Sequence, residues 1–216
     1  MASRIIHLAV TMKIKNEIQI EDENRLKLGT ILPDAYNNPT TTENSHFKKN
    51  VCEETKKTYN LTKFRELFRE NIKSDDLYLG YYLHLIQDLV YRQFVYDEYH
   101  WNPTIPGNVE KLHNDYSLIN TYVITQYHLP DDIYIPKDFE KEAINEMFHF
   151  DLPRFMDELK TDFVSCAKGE SFFFTSDMAD EYIEKAADIC IREAEAIQNG
   201  SFLLDEIEYA WKRKAL

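Results

Sequence analysis

The chain has 216 residues, 44% of them hydrophobic, enough for one full core without division into separate units. Five glycines and seven prolines are few for a turn-rich β-sandwich or barrel, which favours helix. A formal net charge of -13 argues against a surface built to grip nucleic-acid backbones or anionic membranes, since both rest on clustered lysine and arginine.

Residues 4–16 read as a first helix carrying His7, and 21–30 as a second that ends near Gly29. Pro33 disfavours helix in the residue before it, so Leu32-Pro33-Asp34-Ala35 is expected to leave the helix. Residues 36–60 are polar and read as a long loop carrying His46; long loops in compact domains are often functional. Leu61, Phe64, Leu67, Phe68 and Ile72 recur at helical spacing over about 61–73. Ser74-Asp75-Asp76 then offers an N-cap for an apolar helix over about 76–99. Trp101-Asn-Pro-Thr-Ile-Pro-Gly marks a connection to a helix over about 108–128 bearing His113, and Pro130–Pro136 is a break. Helices over 138–147, 151–166 and 176–198 follow, the last capped by Thr175 or Ser176. Glu184, Lys185, Asp188, Arg192 and Glu193 form its solvated face and Cys190 its apolar one. A final helix near 203–214 completes one all-α, multi-helix domain. Its metal-site half spans about 1–128, with C-terminal helices at about 138–214 packed on it.

The opening Met-Ala-Ser-Arg-Ile-Ile-His-Leu-Ala-Val has no apolar core of signal-peptide length, and no apolar run is long enough to span a bilayer. Cys52, Cys166 and Cys190 show neither pairing nor zinc spacing. A cytoplasmic protein with reduced thiols is expected.

The strongest chemical signal is His84 with Asp88. They share one helix face a turn apart, inside the apolar run Leu77–Val90. Burying a carboxylate is costly unless something compensates it. A metal ion is one compensator; a His–Asp hydrogen bond that only holds the core is another. His7, Asp34 and His46 are further candidate ligands, although singly they read as a polar helix-start residue, a turn former and a loop residue. A mixture of imidazole and carboxylate suits zinc, or manganese or iron, better than calcium. A ligating Asp can bridge two ions, so Asp34 and Asp88 are candidate catalytic residues as well as ligands. No Ser or Cys nucleophile and no glycine-rich phosphate loop is apparent.

Four more residues are candidates to line such a site. Tyr81 and Arg92, three before His84 and four after Asp88, fall near the same helix face. Arg92 either contacts a phosphate or pairs with a carboxylate such as Asp88 or Asp97. His113 and Asp115 are the best later candidates, though two residues apart they do not share a face. The crowd of aromatic residues from Tyr78 to Trp101 reads mainly as core packing.

Taken in order, Arg4-Ile-Ile-His7, Leu28-Gly29 followed by Pro33-Asp34, Ser45-His46-Phe47 and Leu79-Gly80-Tyr-Tyr-Leu-His84-Leu-Ile-Gln-Asp88 resemble the zinc-dependent phospholipase C family. Its superfamily includes the fungal single-strand-specific nucleases. The resemblance covers roughly residues 1–90 and implies an all-α fold with one to three zinc ions that cleaves phosphodiesters. By it, Asp34, His46, His84 and Asp88 surround one metal, and Asp88 also reaches a second held by His7. The sequence departs at Phe94, ten residues after His84, where the family has a His, and it lacks a His-x-x-x-Glu pair. The expected function is a metal-dependent hydrolase of phosphate esters, in which metal-activated water attacks phosphorus. A small phosphodiester or lipid headgroup is the expected substrate, and nucleic acid is disfavoured by charge. The alternative is a non-catalytic helical protein with a structural metal or a buried His–Asp network.

Overall fold

From Leu77 to Tyr91 every residue of one helix is buried, and a helix apolar all round must be enclosed by others. That helix, α4 (Asp76–Gln93), is the axis of the computed structural model, which describes residues 2–35, 44–164 and 167–212. Around it pack α1 (Arg4–Ile14), α2 (Glu23–Ile31), α3 (Leu61–Ser74) and α8 (Ser176–Gln198). Outside these lie α5 (Asn108–Gln126), which touches α1, α7 (Leu152–Val164) and α8, and the short α6 (Ala143–Phe148). The fold is all-α, with one small three-stranded antiparallel sheet. Among the described residues no helix is long and apolar enough to cross a membrane.

Local chemistry sets where the site-bearing helices begin. Ser3, Asp22, Asn60, Asp75 and Thr175 cap α1, α2, α3, α4 and α8, each side chain accepting a backbone N–H of the first turn. The starts of α2 and α4 are also joined. Arg25 bonds the Asp75 carboxylate, and Asp76 accepts the amides of Glu21 and Asp22 at 2.8 and 2.6 Å. Along their length the two helices meet backbone to backbone at two glycines. A Cβ on Gly29 would lie 2.1 Å from the Leu77 carbonyl oxygen, and one on Gly80 2.3 Å from that of Leu26. Gly29 is therefore a contact point and not a helix end. The helix runs on through Ile31 into a 3-10 turn, Leu32–Asp34, whose Pro33 sits where the first turn needs no amide donor.

Five other expectations are corrected. The polar stretch 36–60 is not all loop: residues 36–43 lie outside the described ones, but β1 (Lys48–Val51) and β2 (Lys56–Tyr59) form a hairpin pairing Lys48 with Tyr59. No helix forms near 203–212; Trp211–Lys212 is β3, paired with β2, and residues 213–216 lie outside the described ones. Tertiary partners explain this: Trp211 packs 5.0 Å from the Tyr59 ring, and Glu206 is drawn in by Lys49 and Thr62, each at 2.8 Å. The α4 helix stops at Gln93 in a wider π turn (Phe94–Glu98), and the 138–147 segment is split into a 3-10 turn (Phe139–Lys141) and α6. Finally, Glu193 is buried, accepting the amides of Leu203 and Leu204 and the Tyr82 hydroxyl, whereas Glu184, Asp188 and Arg192 are exposed. Cys190 is buried as expected, and Cys166 lies outside the described residues.

Candidate metal centre

Two helices, a 3-10 turn and one loop bring five side chains together. His7 comes from the buried face of α1, His84 and Asp88 from α4, Asp34 from the turn after α2, and His46 from the segment before β1. The orientation of each imidazole is set by what its outer nitrogen meets. His7 Nδ1 donates to Gln87 Oε1 at 2.8 Å, and His84 Nδ1 donates to the Thr30 carbonyl at 2.7 Å. In both rings Nε2 is then left as a bare lone pair turned inward. His46 Nδ1 lies 3.3 Å from the Ser45 hydroxyl, which itself donates to the Pro33 carbonyl at 2.8 Å. The Tyr81 hydroxyl donates to the Ser45 carbonyl, so Tyr81 braces the His46 segment from behind.

The inner atoms are spaced as metal ligands are. His46 Nε2 lies 3.1 Å from Asp34 Oδ1 and 3.7 Å from Asp88 Oδ2. His7 Nε2 lies 3.7 Å from Asp88 Oδ1, and His84 Nε2 3.8 Å from Asp88 Oδ2. Ligand atoms about 2.1 Å from an ion lie roughly 3 to 4 Å from one another. The trios His7, Asp34, His84 and His46, His84, Asp88 each bring their ligand atoms within 4.8 Å of one another, sharing His84. Moreover, His7 Nε2, His84 Nε2 and both Asp88 oxygens are buried with no hydrogen-bond partner. Acceptors facing only acceptors in a water-free interior are strongly unfavourable, and a divalent cation resolves that conflict. The residues present fit a metal.

Protonation agrees. Burial first, then the neighbouring His84, brings the His7 imidazole down to about 4, and burial also lowers His84. Burial works to raise Asp34, but His84 and the bond from His46 outweigh it and hold that carboxyl at about 2. Asp88 is likewise kept below the ordinary carboxylate range against its burial, the three imidazoles being among the charges that act on it. At neutral pH these four groups place two carboxylates beside neutral imidazoles, the charge complement of a divalent ion.

A cleft of about 600 Å³ reaches the cluster at Asp34, and its walls include Arg4, Lys48, Arg92, Trp101 and His113. His113 and Arg92 line this cleft. Arg92 pairs with neither Asp88 nor Asp97; it donates to the hydroxyls of Tyr59 and Tyr96. The other two lining candidates are corrected. Tyr81 stands behind the loop, and buried Asp115 accepts the amides of Phe172, Phe173 and Phe174 at 2.7, 2.8 and 2.9 Å, pinning that segment to α5. Phe94 is packed against Tyr99 and Tyr182 and adds no ligand.

Gln87 was missed, although a polar residue next to Asp88 in an apolar run was a signal. It is a positioning residue, and its removal should loosen the metal without unfolding the chain. We expect Gln87→Leu to weaken zinc or manganese binding by roughly 10- to 100-fold in calorimetric titration, at unchanged helical circular dichroism. Gln87→Glu, which keeps an acceptor for His7 Nδ1, should retain most of the affinity. Equal affinity in the Leu variant and the parent would refute the role. Comparisons with protein-family models, with curated proteins and with solved structures find no match to this chain.

Proposed function

We propose that the protein is a metal-dependent hydrolase of phosphate esters, with His7, Asp34, His46, His84 and Asp88 as the metal-holding set. The observation that carries this reading is a buried cluster in which His7 Nε2, His84 Nε2 and both Asp88 oxygens have no hydrogen-bond partner, beside Asp34, which opens onto a cleft. A purely structural ion is normally closed off by its protein ligands, whereas a catalytic site keeps access for water and substrate. The order of the five residues, which resembles that of the zinc-dependent phospholipase C family, supports the same reading.

A divalent cation there, zinc or else manganese or iron, supplies Lewis acidity toward water and toward a phosphoryl oxygen. The chain's own groups do the rest. Asp88, enclosed by three imidazoles, fixes the charge of the site, while Asp34 at the cleft floor orients the attacking water and accepts its proton. Gln87, Thr30 and Ser45 hold the imidazoles so that no reorganisation is needed when a substrate arrives. A small ester suits this cleft, and the net charge of -13 disfavours nucleic acid.

The test is metal analysis of the purified protein combined with cleavage of bis(p-nitrophenyl) phosphate. We expect stoichiometric zinc, manganese or iron, activity lost on chelation and regained on reloading, and loss of both metal and activity in His84→Ala. Tight metal without cleavage of any aryl phosphate would establish the structural-metal alternative, and failure to bind metal after reloading would overturn both.

A further inference from the structure

The cleft is more basic than the chain that forms it. With 25 basic and 38 acidic side chains overall, three cations stand in its walls: Arg4, Lys48 and Arg92. Arg4 is neutralised by Asp162 at 2.7 Å and Glu158 at 3.4 Å. Lys48 and Arg92 form no ion pair among the described residues; their contacts are aromatic. The Arg92 guanidinium donates to the hydroxyls of Tyr59 and Tyr96 and lies 5.3 Å from the Tyr96 ring and 5.5 Å from the Trp211 ring. Lys48 Nζ lies 5.7 Å from the ring of the same Tyr59.

One tyrosine therefore holds two cations, one at its hydroxyl and one over its ring, and the two cations repel each other. A like-charge pair next to a metal centre, with its guanidinium clamped between aromatic rings, is unfavourable in isolation and favourable around an anion. A planar guanidinium and a point-charge ammonium match the oxygens of a phosphate.

We propose that Lys48 and Arg92 form an anion subsite beside the metal centre, and that the substrate presents a dianionic phosphate to it, as a phosphate monoester does, and not a headgroup ending in a quaternary ammonium. A trimethylammonium placed there would meet two cations, a repulsion that excludes it. The choice of an ester rests on the hydrolase reading; the subsite does not, and the two fail separately.

The experiment is calorimetric titration with inorganic phosphate of the chelated and the metal-loaded full chain, for the parent, Lys48→Gln and Arg92→Gln. It is joined by competition between p-nitrophenyl phosphate, bis(p-nitrophenyl) phosphate and p-nitrophenyl phosphorylcholine. Lys48 is exposed on β1, so its variant should fold, and melting curves check Arg92→Gln. Each substitution should weaken phosphate binding about tenfold, and the monoester should compete best and the choline ester worst. Phosphate affinity unchanged in both variants, or choline ester outcompeting the monoester, would overturn the subsite. Lys48-dependent phosphate binding by a chain that neither holds metal nor cleaves esters would support the subsite and remove the hydrolase reading. Metal-dependent cleavage with no effect of Lys48→Gln on phosphate would do the reverse.

Discussion

Chelation of the metal-loaded protein should lower its melting temperature by roughly 8 to 16 °C. A ligand present at about a thousand times its dissociation constant stabilises the folded state by about 4 kcal/mol, and a chain of this size loses about 2 to 4 °C per kcal/mol. The cost concentrates at Asp88, whose two oxygens are buried without a donor while three imidazole nitrogens face them. Asp88→Asn tests this at the residue itself. It removes the charge that would face the ion, so in the presence of metal it should melt well below the loaded parent, and chelation should shift its melting temperature little. Differential scanning calorimetry with and without chelator reads both. A melting temperature that ignores chelation, in a protein shown to lose its metal, would mean that the ion is held somewhere other than this cluster.

The centre of the site was legible because two polar residues a turn apart are conspicuous in an apolar run, and His84 and Asp88 sit there. His7, Asp34 and His46 were weaker signals that gained force only as an ordered set. What the sequence concealed depends on partners far away in the chain. The hairpin at 48–59 has little apolar alternation of its own; its buried residues are Thr58 and Tyr59, and Tyr59 owes much of its cover to Trp211. Glu193 has the helical position of a solvated charge, yet Arg65 and Tyr82 from two other helices meet it there. Asp115 stands two residues from His113, but the three amides that claim it belong to the segment before α8. Lys48 and Arg92 were likewise far apart until the hairpin carried Lys48 to the end of α4. Pattern reading finds which residues are out of place in their element; it does not find the partner that another element brings.

Gly80→Ala should cost about 3 to 5 kcal/mol and also abolish stoichiometric metal binding, although Gly80 touches no ligand. Alanine is the better helix former, so propensity alone predicts a gain of about 1 kcal/mol. Packing decides otherwise. The added Cβ would lie 2.3 Å from the Leu26 carbonyl oxygen and 2.9 Å from the Thr30 amide nitrogen, and both are backbone atoms that cannot rotate away. The α2 and α4 helices must therefore separate, opening a packed contact along their length. That movement reaches the site directly. The Thr30 carbonyl orients His84, and Asp34 follows Thr30 by four residues on the same continuous turn, while His84 and Asp88 stay with α4. A shift of a fraction of an ångström already spoils a ligand set whose spacings run from 3.1 to 3.8 Å. Gly107→Ala is the control, since Gly107 has φ +81° but nothing within 4 Å of an added Cβ. It should lose only the left-handed backbone preference, about 1 to 2 kcal/mol, and keep its metal. Urea unfolding and metal titration of the two variants separate the effects: a Gly80→Ala protein with the parent's midpoint and full metal content would show that the two helices are not in the contact that builds this site.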